Sequence, residues 1–152
     1  MEKKRKPFNK ESGKRVSFKA VVEMIGNSNE YHFAIVDDQV DEELVEIARK
    51  VGIDITGYKH VIETSGTSHS QNRHGEKSND RKPLTKEDYC LIPEIIRHRD
   101  SVIISPSVTR IHRNPVFIYE KRIGDIYVYV EEIRRGRNKS LVLQSLRKRK
   151  AP

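Results

Sequence analysis

One cysteine, Cys90, occurs in the 152 residues. It has no partner for an intramolecular disulfide and suits a reducing compartment. Long apolar runs are missing too. No stretch approaches the roughly 20 residues needed to cross a membrane, and the basic start has no apolar segment behind it to make a secretory signal. The chain is therefore expected to be soluble and cytoplasmic, with no membrane partner. Hydrophobic residues make up 35% and charged residues 34%, which is polar for a globular chain but above the disordered class. The length suits one domain that buries a core without staples.

Net charge is +8, and its distribution says more than its size. Residues 1–19 hold eight Lys and Arg against Glu2 and Glu11, and residues 134–150 hold eight with no acid. Between them lie fourteen Lys and Arg against twenty Asp and Glu. Basicity is thus terminal. A basic end attracts nucleic-acid phosphates through counterion release, and it equally makes a solvated tail.

Residues 1–15 read as a flexible basic arm, 16–148 as one domain and 149–152 as a basic tail. Val16 to Ile25 suits a strand or a short helix, and Tyr31 to Val36 an extended segment. Asp41 to Gly52 is the clearest helix. Acids fill its first turn, Leu44, Ile47, Ala48 and Val51 share one face, Arg49 and Lys50 end it, and Gly52 stops it. Tyr58 to Ile62 reads as a short strand. Thr85-Lys-Glu-Asp88 has capping-box spacing and opens a helix through Tyr89, Leu91 and Ile92. Pro93 either kinks that helix or begins another. Cys90 on this element reads as a small core residue.

From Ser101 the period becomes alternating. Strands are predicted at 102–105, 115–122, 125–134 and 139–146, with hairpin turns at Ile123-Gly124-Asp125 and Gly136-Arg-Asn138. The expected fold is α+β: a helical amino-terminal half packed on a four-stranded antiparallel meander. In strand 125–134, Ile126, Val128, Val130 and Glu132 form a core-like set. Tyr127, Tyr129, Glu131 and Ile133 form the other, which suits either an RNA-facing surface with stacking rings or an ordinary half-exposed strand.

Chemistry concentrates in His69-Ser-Gln-Asn-Arg73-His74-Gly75. A helix over 64–74 closed by Gly75 places His69 and Arg73 four apart on one face, with His74 about 100° further round. Two imidazoles beside a fixed cation are what metal-free RNA cleavage uses: a base for the 2′-hydroxyl proton, an acid for the leaving oxygen and a charge for the phosphate. The same residues also suit the negative carboxyl end of any helix. Spacing of i,i+5, with no carboxylate placed between, argues against a zinc site. Of the other histidines, His112 lies in an arginine-bearing loop and can join the site. His60 on its short strand reads as structural, and His98 as a solvated helix end.

The order of several pieces resembles the phage-type nuclease domains of the barnase–EndoU–colicin–RelE group (PBECR domains). These pieces are Gly57-Tyr-Lys-His60-Val-Ile62, His69-x-x-x-Arg73-His74-Gly75, Leu84-Thr-x-x-Asp88 through Ile96, Ile118-Tyr-x-Lys121, and Gly124-Asp125 through Arg134. A last strand with Leu143 and Ser145 follows. The resemblance covers about 55 to 148. It implies a metal-independent RNA-cleaving site on the open face of a four-stranded sheet. Its positions fall on His69, Arg73, His74, Lys121, the acid of strand 125–134 (Glu131) and the hydroxyl of the last strand, where this chain has Ser145 and such domains often have Thr.

The resulting expectation is a cofactor-free ribonuclease of toxin type. His69 and His74 act as acid and base, and Lys121 and Arg73 stabilise the phosphate. Tyr127 or Tyr129 stacks on a base, and Arg134, Arg135, Arg137 and His112 hold flanking RNA. The substrate is RNA, with transfer or ribosomal RNA as candidates, and an immunity or antitoxin protein is a possible partner. The competing expectation is a non-catalytic module of a phage or mobile element that binds nucleic acid or protein.

Overall fold

The computed structural model describes residues 14–25, 31–64, 67, 82–106, 114–136 and 139–152. Four helices occur among them, each with a local cause. In α1, Phe18–Glu23, the Ser17 hydroxyl accepts from the Ala20 amide at 3.1 Å, the usual N-cap bond. In α2, Glu42–Lys50, Asp41 accepts from the Leu44 amide at 3.0 Å. Gly52 follows at φ +82°, where a side chain would be strained. The capping-box prediction marks α3, Lys86–Tyr89, where Asp88 accepts from the Thr85 amide at 2.7 Å. Pro93 sits in the first turn of α4, Ile92–Arg97, and so begins a helix instead of kinking one, as its missing N–H permits.

Seven strands form one mixed sheet. They are β1 (Lys14–Arg15), β2 (His32–Asp37), β3 (Lys59–Glu63), β4 (Ser101–Ser105), β5 (Val116–Ile123), β6 (Asp125–Arg134) and β7 (Ser140–Arg149). Their spatial order is β1-β2-β3-β7-β6-β5-β4. Strands β4 to β7 pair antiparallel in sequence order. Gly124, at φ +73°, makes the tight β5–β6 turn. The β3–β7 pairing is parallel, as is β1–β2.

The class is α+β, but two finer expectations need correcting. The sheet is not confined to four strands, and the amino-terminal half is not a helical layer. That half also supplies β1, β2 and β3. Its apolar stretches are short and rich in Val and Ile, which suits strands. Their extension of the sheet depends on a parallel pairing between β3 and β7, some eighty residues apart in sequence, which no local pattern encodes.

All four helices lie on one face of the sheet. Val21, Leu44, Ala48, Ile92, Ile95 and Ile96 from the helices pack on Ala34, Ile62, Phe117, Tyr119, Tyr129 and Leu143 from the strands. The opposite face carries a smaller cluster of Phe33, Val61 and Val142, with Tyr31 beside it. Ile103 on β4, 58% exposed, pairs with Ile118 and belongs to that opposite side.

This difference sets an expected contrast. Ile95→Ala, at a fully buried site, is expected to cost about 2–5 kcal/mol. Ile103→Ala is expected to stay within about 0.5 kcal/mol. Urea unfolding of both variants checks the assignment of the two faces.

Candidate active site

The orientation of β6 decides which side chains can meet. Of its two sets, the tyrosine set faces the helices. Tyr129 and Ile133 are fully buried and Tyr127 is 5% exposed. Glu131 is also fully buried. Its carboxylate accepts from the Tyr119 hydroxyl at 2.6 Å and the Tyr129 hydroxyl at 3.3 Å, and meets His60 Nδ1 at 2.7 Å. Three strands thus supply donors to one anion. Burial works against the proton on His60, but the Glu131 charge outweighs it and the net shift is upward. Tyr119 and Tyr129 are pushed well up, by burial first and by Glu131 second. Outside this group, the Arg99 guanidinium lies 5.9 Å from the centre of the Tyr119 ring and is held by Asp41 and Glu43 at 2.7 Å each.

Two expectations are corrected here. Glu131, without solvent access, is a core anion and cannot serve as a surface acid. Tyr127 and Tyr129 have no free ring face on which a base could stack. Tyr129 packs instead against Tyr119, with ring centres 5.4 Å apart. The reason is area: an aromatic strand face buries more apolar surface than an aliphatic one. His60 is a satisfied core histidine, in keeping with its structural reading.

Further along the same face, strand register aligns Lys121, Tyr127 and Lys148 as direct cross-strand neighbours on β5, β6 and β7. The Tyr127 hydroxyl donates to Asp88 at 2.6 Å, and Lys148 Nζ lies 2.9 Å from the other oxygen of that carboxylate. Lys121 Nζ is 3.4 Å from Asp100, and Lys82 Nζ is 3.4 Å from Asp125. Burial raises the Asp88 pKa, but the Tyr127 hydroxyl, the Thr85 amide and Lys148 outweigh it and hold the carboxyl below its ordinary range. Tyr127 is pushed upward by burial and by Asp88.

The described residues on either side of 68–81, Thr67 and Lys82, each contact a residue close in sequence to a member of this group. On entry, the Thr64 hydroxyl accepts from the His32 amide and the Thr67 hydroxyl donates to the Thr64 carbonyl, each at 3.0 Å. The Thr67 carbonyl accepts from the hydroxyl of Tyr89, the neighbour of Asp88, at 3.5 Å. On exit, Lys82 pairs with Asp125, two residues before Tyr127. His69, Arg73, His74, His112 and Arg137 themselves lie outside the described residues.

The remaining expected residues do not join the row. Ser145 pairs with Val130 on the face away from the helices. A bulge in β7 between the partners of Val130 and Glu131 shifts the alternation. Leu146 therefore shares the inner face with Leu141 and Leu143, and Ser145 does not. Arg134 also lies on the outer face, bound to Glu132 at 2.5 Å and Glu63 at 3.1 Å. Burial opposes its charge, but Glu63 and Glu132 outweigh that and raise its pKa. Tyr31 donates a short hydrogen bond to Glu63. Arg134 is therefore a bridge between carboxylates and not a free RNA contact. Arg135 is exposed and lines a pocket of about 330 Å³ with Val51, Ile53, Ile104, Pro106 and Pro115. It lies just past the end of β6, eight residues from Tyr127, on the order of 26 Å away.

The sequence reading accounted for Asp88 by the capping box and for Lys148 by the basic carboxyl-terminal run, and did not pair them; nothing local in the sequence signals that contact. Among the described residues, no group of three or more His, Cys, Asp or Glu is arranged to hold a metal ion, and no helix is long and apolar enough to cross a membrane. A family model described as "phage-Barnase-EndoU-ColicinE5/D-RelE like nuclease3" matches residues 38–151. No curated protein and no solved structure matches the chain.

The buried pair predicts a pH dependence of stability. His60 has a folded pKa above 6.5, so its contribution is complete below that value and is lost as pH rises through the folded one. Asp41 and Asp88 have folded values below 3.8, so their contributions hold above it and are lost as pH falls. The thermal midpoint is expected to be highest between about pH 4 and 6.5 and to decline on both sides. His60→Leu, which strands the Glu131 charge, is expected to cost about 3–5 kcal/mol and to remove the part of the alkaline decline that comes from His60 losing its proton. Melting curves from pH 3 to 9 for both proteins check it.

Proposed function

We propose a function from one premise: the chain belongs to the phage barnase–EndoU–colicin–RelE-like nuclease family. The reading is a metal-independent RNA endonuclease of toxin type. The observation that carries it is the row of Lys121, Tyr127 and Lys148 on the helix-facing side of the sheet.

The chemistry follows from these residue types. One of His69 and His74 takes the proton of a 2′-hydroxyl, and the oxygen attacks the adjacent phosphorus. The bond from phosphorus to the 5′-oxygen breaks as the other histidine protonates that oxygen. The products are a 2′,3′-cyclic phosphate and a 5′-hydroxyl. Lys121 and Arg73 stabilise the five-coordinate phosphate, where charge accumulates. The exposed arginines Arg135, Arg147 and Arg149 supply salt-dependent attraction for the flanking backbone. Transfer and ribosomal RNA are the substrates to test first, and an immunity or antitoxin protein is the partner such a toxin calls for.

The test is cleavage of total cellular RNA in EDTA, wild type beside His74→Ala and Lys121→Met. Loss of one proton-transfer group is expected to slow cleavage about 10²–10⁴-fold, and loss of the Lys121 charge about 10²–10³-fold. RNA binding, followed by fluorescence anisotropy, is expected to survive in His74→Ala. Cleavage by His74→Ala at the wild-type rate contradicts the mechanism. RNA bound but cut by none of the three favours the non-catalytic module.

A further inference from the structure

We propose that Lys148 is a phosphate-binding residue of the RNA site and that Asp88 is its positioning residue. This rests on the nuclease reading and adds to it a cation that the resemblance did not supply. Lys148 stands on the helix-facing side of β7, opposite Tyr127, which stands opposite Lys121. Adjacent strands are about 4.8 Å apart, so the two lysine stems rise from one face with Tyr127 between them. The tyrosine between them in register is 5% exposed. Both lysines keep some exposure, 20% of the Lys121 side chain and 15% of the Lys148 side chain.

The pairing with Asp88 leaves Lys148 able to bind a further anion. Asp88 already accepts from the Tyr127 hydroxyl, the Thr85 amide and the Thr85 hydroxyl, at 2.6, 2.7 and 3.2 Å. An ammonium has three donors, and the Asp88 contact occupies one. The other two remain for phosphate oxygens. A free surface lysine would lose rotamer freedom on binding, whereas one already held by a 7% exposed carboxylate has given up most of it. Lys148 also differs from its basic neighbours. Arg149 pairs across the sheet with Ile126 and binds Glu120 at 3.0 Å on the outer face, and Arg147 shares that face, opposite Val128.

The test uses a short RNA substrate for kinetics and its uncleavable 2′-O-methyl form for anisotropy, each over a range of salt. The proteins are the whole chain as wild type, Lys148→Met, Lys148→Arg, Asp88→Asn and the double variant Lys148→Met/Asp88→Asn. Lys148→Met is expected to raise KM and Kd about tenfold or more and to reduce the salt slope by about 1. Lys148→Arg is expected to restore the slope. Asp88→Asn is expected to weaken binding while keeping the slope. The double variant removes both charges, so it leaves no stranded anion and should show the slope loss in a stably folded protein even where Lys148→Met melts early.

An unchanged slope and KM in Lys148→Met, or in the double variant where the single one does not fold, overturns the proposal. So does an equal slope loss in Asp88→Asn, which would mark the pair as purely structural. A wild type that neither cuts nor binds the RNA removes the nuclease reading, and this proposal with it. A wild type that cuts while the lysine variants match it removes this proposal alone.

Discussion

A single carboxylate with no solvent access organises this protein. Burying the Glu131 anion would cost several kcal/mol if it were left alone. It is tolerated because His60 from β3, Tyr119 from β5 and Tyr129 from its own strand converge on it. Those donors fix the inward face of β6, and strand alternation carries the choice along the strand. With Glu131 and Tyr129 inside, Tyr127 must be inside, and its neighbours Lys121 and Lys148 must rise on the same side. The chemistry assigned to the row thus depends on an ion pair that takes no part in it.

The two faces of the sheet handle charge differently. On the helix-facing side the charges near Tyr127 form lysine–aspartate pairs: Lys148 with Asp88, Lys121 with Asp100 and Lys82 with Asp125. Each carboxylate contact uses one of an ammonium's three donors. On the outer side Arg134 is shared between Glu63 and Glu132, and its fixed geometry locks β3 to β6 across β7. The basic carboxyl-terminal run is therefore not one functional unit. It divides among a lysine paired to Asp88, a bridge between carboxylates and exposed cations.

What was legible in the sequence was local. The acid-to-base gradient and Gly52 marked α2, Thr85 and Asp88 marked α3, and Gly124 marked the β5–β6 hairpin. Each rests on contacts within a few residues. The order of motifs was enough to indicate the family, because that order survives without knowledge of the packing. The inner face of β6 was not legible. Alternation separates Ile126, Val128 and Val130 from Tyr127, Tyr129 and Ile133, but both sets are apolar enough to be buried. Ser145 was misplaced because a bulge inserts one residue into β7 and inverts the phase beyond it. The larger sheet was missed because β3 joins it through a partner distant in sequence.

The central claim is that imidazoles and fixed cations cut RNA here by attack of the neighbouring 2′-hydroxyl. The most direct measurement is the chemistry of the cut ends, made on a defined RNA oligomer digested in EDTA and analysed by mass spectrometry. The account predicts 2′,3′-cyclic phosphate on the upstream fragment and a 5′-hydroxyl on the downstream one. Fragments with 5′-phosphate ends, or cleavage that appears only when a divalent ion is restored, would contradict it.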